Sequence, residues 1–141
     1  SAFSAYVLGR FSDAVHYQSK ALMFNAITKN RFILAKYQVR NGEISEGVNN
    51  LNKCIEDNPI FAVASFKEID LINEPEVIKL ISEKNKKIDT DISKLLDKWK
   101  RIESTEAVEV MKDLIELSEK SYEIKVQKFN SLHIKTIDIN N

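Results

Sequence analysis

The chain has 141 residues, enough for one domain or for a domain with an appendage. Its 21 Lys and Arg are balanced by 21 Asp and Glu, so no net field recruits nucleic acid or an anionic membrane. Hydrophobic residues make up 43%, which permits a buried core, while 3 Gly and 2 Pro argue against a turn-rich all-β fold.

Helical spacing dominates from the start. Ala5, Tyr6 and Leu8 read as the end of a helix, and Gly9 lets the chain turn. Ser12 is the expected N-cap of the next helix, which carries Ala14, Tyr17, Ala21 and Leu22. After Thr28-Lys29-Asn30, a helix with Phe32, Ile33, Leu34, Tyr37 and Val39 runs to Asn41-Gly42. Ser45 is the expected cap of a helix with Val48, Leu51, Cys54 and Ile55, stopped at Asn58-Pro59. A third unit places Phe61, Ala64, Phe66 and Ile69 on one helix. Pro75 then begins another that carries Val77, Ile78, Leu80 and Ile81.

From Lys84 the character changes. Lys84-Asn85-Lys86-Lys87 reads as a polar junction. Ile88, Ile92, Leu95, Trp99 and Ile102 then step by four, three, four and three, one stripe of a long helix. Ser104-Thr105-Glu106 breaks it and can cap a second long helix, with Val108, Met111, Ile115, Ser118, Tyr122, Val126 and Phe129 on one face. A short connection between two long helices predicts an antiparallel hairpin. The tail, 131–141, is open between a short strand, a docked segment and a disordered end.

Gly9 to Leu22 repeats as Gly42 to Ile55 at an offset of 33 residues, and Pro75 holds the register of Gly42 one period later. A fixed period of this size marks stacked helical hairpins. Gly9, Phe11, Ala14, Tyr17, Ala21 and Leu22, with Gly42, Ile44, Gly47, Leu51, Cys54, Ile55 and Pro59, make the chain resemble the tetratricopeptide repeats. The match departs from that family at Asn25-Ala26, where a Pro is usual, and in a period one short of about 34. The resemblance covers 1–83, is worn beyond Pro59 and stops before the C-terminal hairpin.

The expected fold is therefore all-α: antiparallel helical hairpins in a short right-handed stack over 1–83, a longer helical hairpin over 84–130, and a tail over 131–141. The resemblance implies a non-enzymatic protein-interaction or scaffold segment that binds a peptide or partner helix on its concave face. In the second unit that face would carry Lys29, Phe32, Lys36, Val39 and Arg40. Lys29, Lys36 and Arg40 stay on one side of a helix, and cations around one aromatic suit an acidic peptide or a C-terminal carboxylate. The competing reading makes them solvated surface, or fills the groove with the C-terminal hairpin. The alternative function is an oligomerisation module, a homo-oligomer paired through the Ile88–Ile102 stripe.

No catalytic, cofactor or metal site is expected. His16 and His133 lie far apart with no HExxH or Cys–His cluster, and there is no Gly-rich phosphate loop. Cys54 takes a small core position and has no neighbouring base. Asp89, Asp91, Glu103 and Glu106 read as helix-start charges, and Glu68 and Asp70 as surface. Apolar runs such as Ile60 to Ala64 are too short to span a bilayer. A lone cysteine fits a reducing, cytoplasmic setting, and Ser1 at the start suits a fragment or processed product. No nucleic-acid partner is expected, because Asp89, Asp91 and Asp97 follow the basic junction at once.

Overall fold

A computed structural model describes residues 1–140, with side chains to residue 134. Among the described residues the protein is all-α, with helices and turns and no strand. The helices are α1 (Ala2–Val7), α2 (Phe11–Phe24), α3 (Thr28–Arg40), α4 (Ile44–Asp57), α5 (Ile60–Ser65), α6 (Ile69–Ile72), α7 (Pro75–Trp99), α8 (Thr105–Leu117) and α9 (Tyr122–Asn140). The chain forms two compact units, Ser1–Ile81 and Ser82–Asn141, and α7 carries it from one to the other.

In the first unit α1 packs on α2, α2 on α3 and α3 on α4. Two turns set this path. Gly9 (φ 73°) and Gly42 (φ 82°) are left-handed, where a Cβ is costly. Each closes its helix with the same hydrogen-bond pair. The amides of Gly9 and Arg10 donate to Tyr6 and Ala5, and those of Gly42 and Glu43 donate to Val39 and Gln38. The residues that start the following helices agree too: Arg10 has φ −89°, ψ 68° and Glu43 has φ −83°, ψ 65°. Both of those helices are 14 residues long and end on an extended Asn, Asn25 or Asn58.

Neither helix start uses its serine. No side chain caps α2 or α4, so Ser12 and Ser45 are not the N-caps expected of them. The glycine turn feeds the chain directly into the next helix, which leaves no β-region serine at the cap position. On α2 the buried positions are Ala14 and Gln18, while Tyr17 is half exposed. The Gln18 amide donates to the carbonyl of Asn30 at 3.0 Å, which satisfies a buried polar group between α2 and α3.

Helices α3 and α4 run antiparallel. Cys54 and Asp57, late in α4, touch Thr28 at the start of α3, whereas Gly47, early in α4, meets Val39 near the end of α3. The contact at Gly47 is close. A Cβ there would lie 2.7 Å from Val39 Cγ2 and 3.0 Å from the Ala35 carbonyl oxygen. Ala35 and Leu51 are fully covered. A polar chain crosses the same interface: Arg31 donates to Asn50 at 2.9 Å, and Asn50 donates to Gln38 at 2.8 Å.

The third unit differs from the single helix expected over 61–69. It is two short helices, α5 and α6, with Phe66 half exposed and Ile69 mostly exposed. Ala62, Ser65 and Leu71 are the residues buried there. Pro75 does open α7, in the first turn where its missing N–H costs nothing.

In the second unit, Ile88, Ile92, Leu95 and Trp99 of α7 pack with Ala107, Val110, Leu114 and Leu117 of α8, and with Tyr122, Val126 and Phe129 of α9. Three expectations are corrected here. The polar stretch 84–87 lies just past the division between the two units but makes no break, being mid-helix, because it contains neither Gly nor Pro. The second long helix is two helices, α8 and α9, parted at 118–121. The buried face of α8 is also one residue out of phase with the stripe expected, since Val108 is 63% exposed and Ile115 59% exposed. The Ser104 side chain does cap α8, accepting from the Ala107 amide at 3.0 Å. In the tail, α9 continues to Asn140. The side chains of Thr136, Ile137 and Ile139, and all of Asn141, lie outside the described residues.

Lys125 of α9 is buried, and its ammonium donates to Asp89 Oδ1 of α7 at 2.6 Å. Stripping the partner from a buried cation costs more than the pair itself contributes.

Two outcomes are expected in urea denaturation. Gly47→Leu loses about 3 kcal/mol of stability through overpacking, although leucine is the better helix former; the exposed neighbour Glu46→Ala stays near wild type. Asp89→Ala loses about 2 kcal/mol, and adding Lys125→Met restores most of it. A Gly47→Leu protein as stable as wild type contradicts the close helix approach.

Candidate partner-binding face

Helix α3 packs between α2 and α4, and its residues divide sharply. Of the five expected to meet a partner, Phe32 and Val39 belong to the interior. Phe32 is 7% exposed, with its ring 5.1 Å from that of Phe61, and Val39 is packed at Gly47. Phe32 offers no apolar contact to a partner, because α5 already uses that side of α3, while Val39 keeps only an edge on the groove beside Tyr6 and Arg40. Lys29 is exposed. Lys36 and Arg40 lie one helical turn apart and both reach the same short segment at the start of α6.

That segment is acidic. Lys36 Nζ lies 2.9 Å from Glu68 Oε2, and Arg40 Nε lies 3.7 Å from Asp70 Oδ1. The Tyr6 hydroxyl of α1 donates to the other oxygen of Asp70. Asp70 is not the surface carboxylate expected, since its side chain is only 5% exposed. Its burial depends on a contact 64 residues away in sequence, which no local pattern announces.

Aromatic rings build the floor. Tyr6 stacks on Tyr37 at 4.9 Å and tilts against Phe11 at 5.9 Å. The Arg40 guanidinium carbon sits 5.0 Å over the Phe11 ring, a cation–π contact that also fixes the guanidinium for Asp70. An open groove of about 540 Å³ lies beside this cluster, bordered by Tyr6, Arg40, Ile69 and Asn73.

The energetics rank these contacts. Arg40 is more than half exposed and its pair is long, so that pair is worth under about 1 kcal/mol. A hydrogen bond to an ionised carboxylate is worth about 1.5–3 kcal/mol, so Tyr6 holds Asp70 more firmly than Arg40 does. The Tyr6 hydroxyl is pushed up to about 12, first by its hydrogen bond to Asp70, then by burial and the Asp70 charge. Burial raises the Tyr37 hydroxyl as well, with Asp70 adding to it.

The other reactive groups lie elsewhere. His16 is exposed and edge-on to Tyr17, and His133 is exposed and stacked on Phe129 at 5.6 Å. Cys54 is fully buried, and burial pushes its thiol up to about 11. Among the described residues no three His, Cys, Asp or Glu side chains group as metal ligands, and no helix is long and apolar enough to cross a membrane. No family model, curated protein or solved structure matches the chain.

Cys54 gives the fold an alkaline limit. Its folded value lies above its ordinary 9.0, so its contribution is whole below about pH 9 and is lost as pH rises towards 11. Melting temperature should therefore fall between pH 9 and 11 more gently in Cys54→Ala than in wild type. Equal slopes in the two proteins contradict this assignment.

Proposed function

We propose that this protein is a non-enzymatic protein-interaction and scaffold segment whose tetratricopeptide-like hairpins present one face of α3 to an acidic peptide. One observation carries the reading: Lys36 and Arg40, on the same side of one helix, each already hold a carboxylate. The face thus has the spacing and charge to take two acids at once. Exposed Lys29 extends the positive edge towards the start of α3.

The match in backbone geometry between the Gly9 and Gly42 turns supports a repeated hairpin architecture, the setting in which such faces serve as binding surfaces. Self-association through the C-terminal stripe has less support. Ile88, Ile92, Leu95 and Trp99 are buried in the core of their own unit, so none remains to form a seam with another copy.

Fluorescence anisotropy with a labelled peptide carrying two acids around one residue tests the proposal. Saturable binding is expected, weakened by raised salt and about tenfold by Lys36→Glu, the loss of one charge-assisted contact. Binding that is indifferent to both Lys36→Glu and Arg40→Glu overturns it.

A further inference from the structure

The contact between Tyr6 and Asp70 is out of place for a simple stack of hairpins. In such a stack each unit touches only its neighbours. Tyr6 belongs to the first pair of helices and Asp70 to the segment after the second, yet they share a hydrogen bond. The same acidic segment also binds Lys36 and Arg40 of α3. A segment anchored at once to α1 and along α3 must lie across the face that α3 would offer a ligand.

The spacing fits a ligand. Lys36 and Arg40 are separated by about 6 Å of helical rise. Two acids flanking one residue are separated by about 6.6 Å when the chain is extended. In the resident segment only Glu68 is extended (φ −105°, ψ 114°); Ile69 and Asp70 already belong to α6, so the two acids flank one residue at the helix start. Ile69 is 77% exposed and contributes little to the packing. The geometry points to residues 68–70 as a resident pseudo-ligand, which occupies the acidic-peptide site on α3 and must be displaced by a partner bearing the same acid-x-acid pattern. This rests on the partner-binding reading and adds its ligand class and its regulation.

Helix α6 has only four residues; Leu71 is buried, while Phe66 and Ile69 face outwards. Opening such a short element exposes few apolar side chains, so its cost is set mainly by Leu71 and the two acids. A site closed by its own chain binds in proportion to the fraction of molecules that are open, so weakening the resident acids raises apparent affinity without a new contact.

The test uses the full chain and a labelled peptide with the sequence of residues 66–72, Phe-Lys-Glu-Ile-Asp-Leu-Ile. The protein variants are Glu68→Gln and the double variant Glu68→Gln/Asp70→Asn, each checked for helix content. The variants should bind the peptide at least about tenfold more tightly than wild type, and a further Lys36→Glu should abolish the gain. Equal affinity in wild type and variants, still dependent on Lys36, overturns the pseudo-ligand and leaves the partner-binding reading standing. No binding by any folded form removes both. If Asp70→Asn impairs folding, hydrogen exchange on wild type decides: saturating peptide should speed exchange of the 68–72 amides. Unchanged exchange with peptide bound overturns the inference.

Discussion

The arrangement of the first unit depends on how near the backbones of α3 and α4 come at Gly47. No Cβ fits there, because Val39 and the Ala35 carbonyl already fill the space. This closeness turns Val39 inwards and brings Leu51, Cys54 and Ile55 against α3. It also decides which side of α3 is left over. With α4 on one flank and α2 on another, the side carrying Lys36 and Arg40 remains for the acidic segment.

The electrostatics of that side follow from its geometry more than from its charge count. Arg40 differs from other surface cations because an aromatic ring supports it and a nearly buried carboxylate faces it, while Lys36 pairs with the part-exposed Glu68. Arg40 lies over Phe11, Tyr6 stacks on Tyr37, and Asp70 is held by both Tyr6 and Arg40. A polar group this buried needs hydrogen-bond partners, and the phenol is the stronger one. The acidic segment thus meets α3 and α1 mainly through its two acids and Leu71, with Phe66 and Ile69 facing outwards.

The second unit shows where periodicity misleads. Helix α8 carries two apolar stripes, one through Val110, Leu114 and Leu117 and another through Val108, Met111 and Ile115. Both have helical spacing, so pattern alone cannot choose between them. Packing chose the first, and Ala107 at its start lets the helices approach. The break at 118–121 was equally hidden, because Ser118 sat in an unbroken apolar step and no Gly or Pro marked the turn. Lys125 gave no sign of burial either. Its place against Asp89 exists only once α9 has folded back along α7.

What the amino-acid order alone settled was local: helical periods, the two left-handed glycines, the proline that opens α7 and the serine that caps α8. Each is a property of a few adjacent residues, whose backbone preferences act before any long-range contact forms. The partition of α3 into an interior side and a side that meets the acidic segment, the phase of α8 and the burial of Asp70 came from tertiary structure. Those outcomes depend on which helices compete for the same surface, and contacts spanning tens of residues leave no short-range signal in the chain.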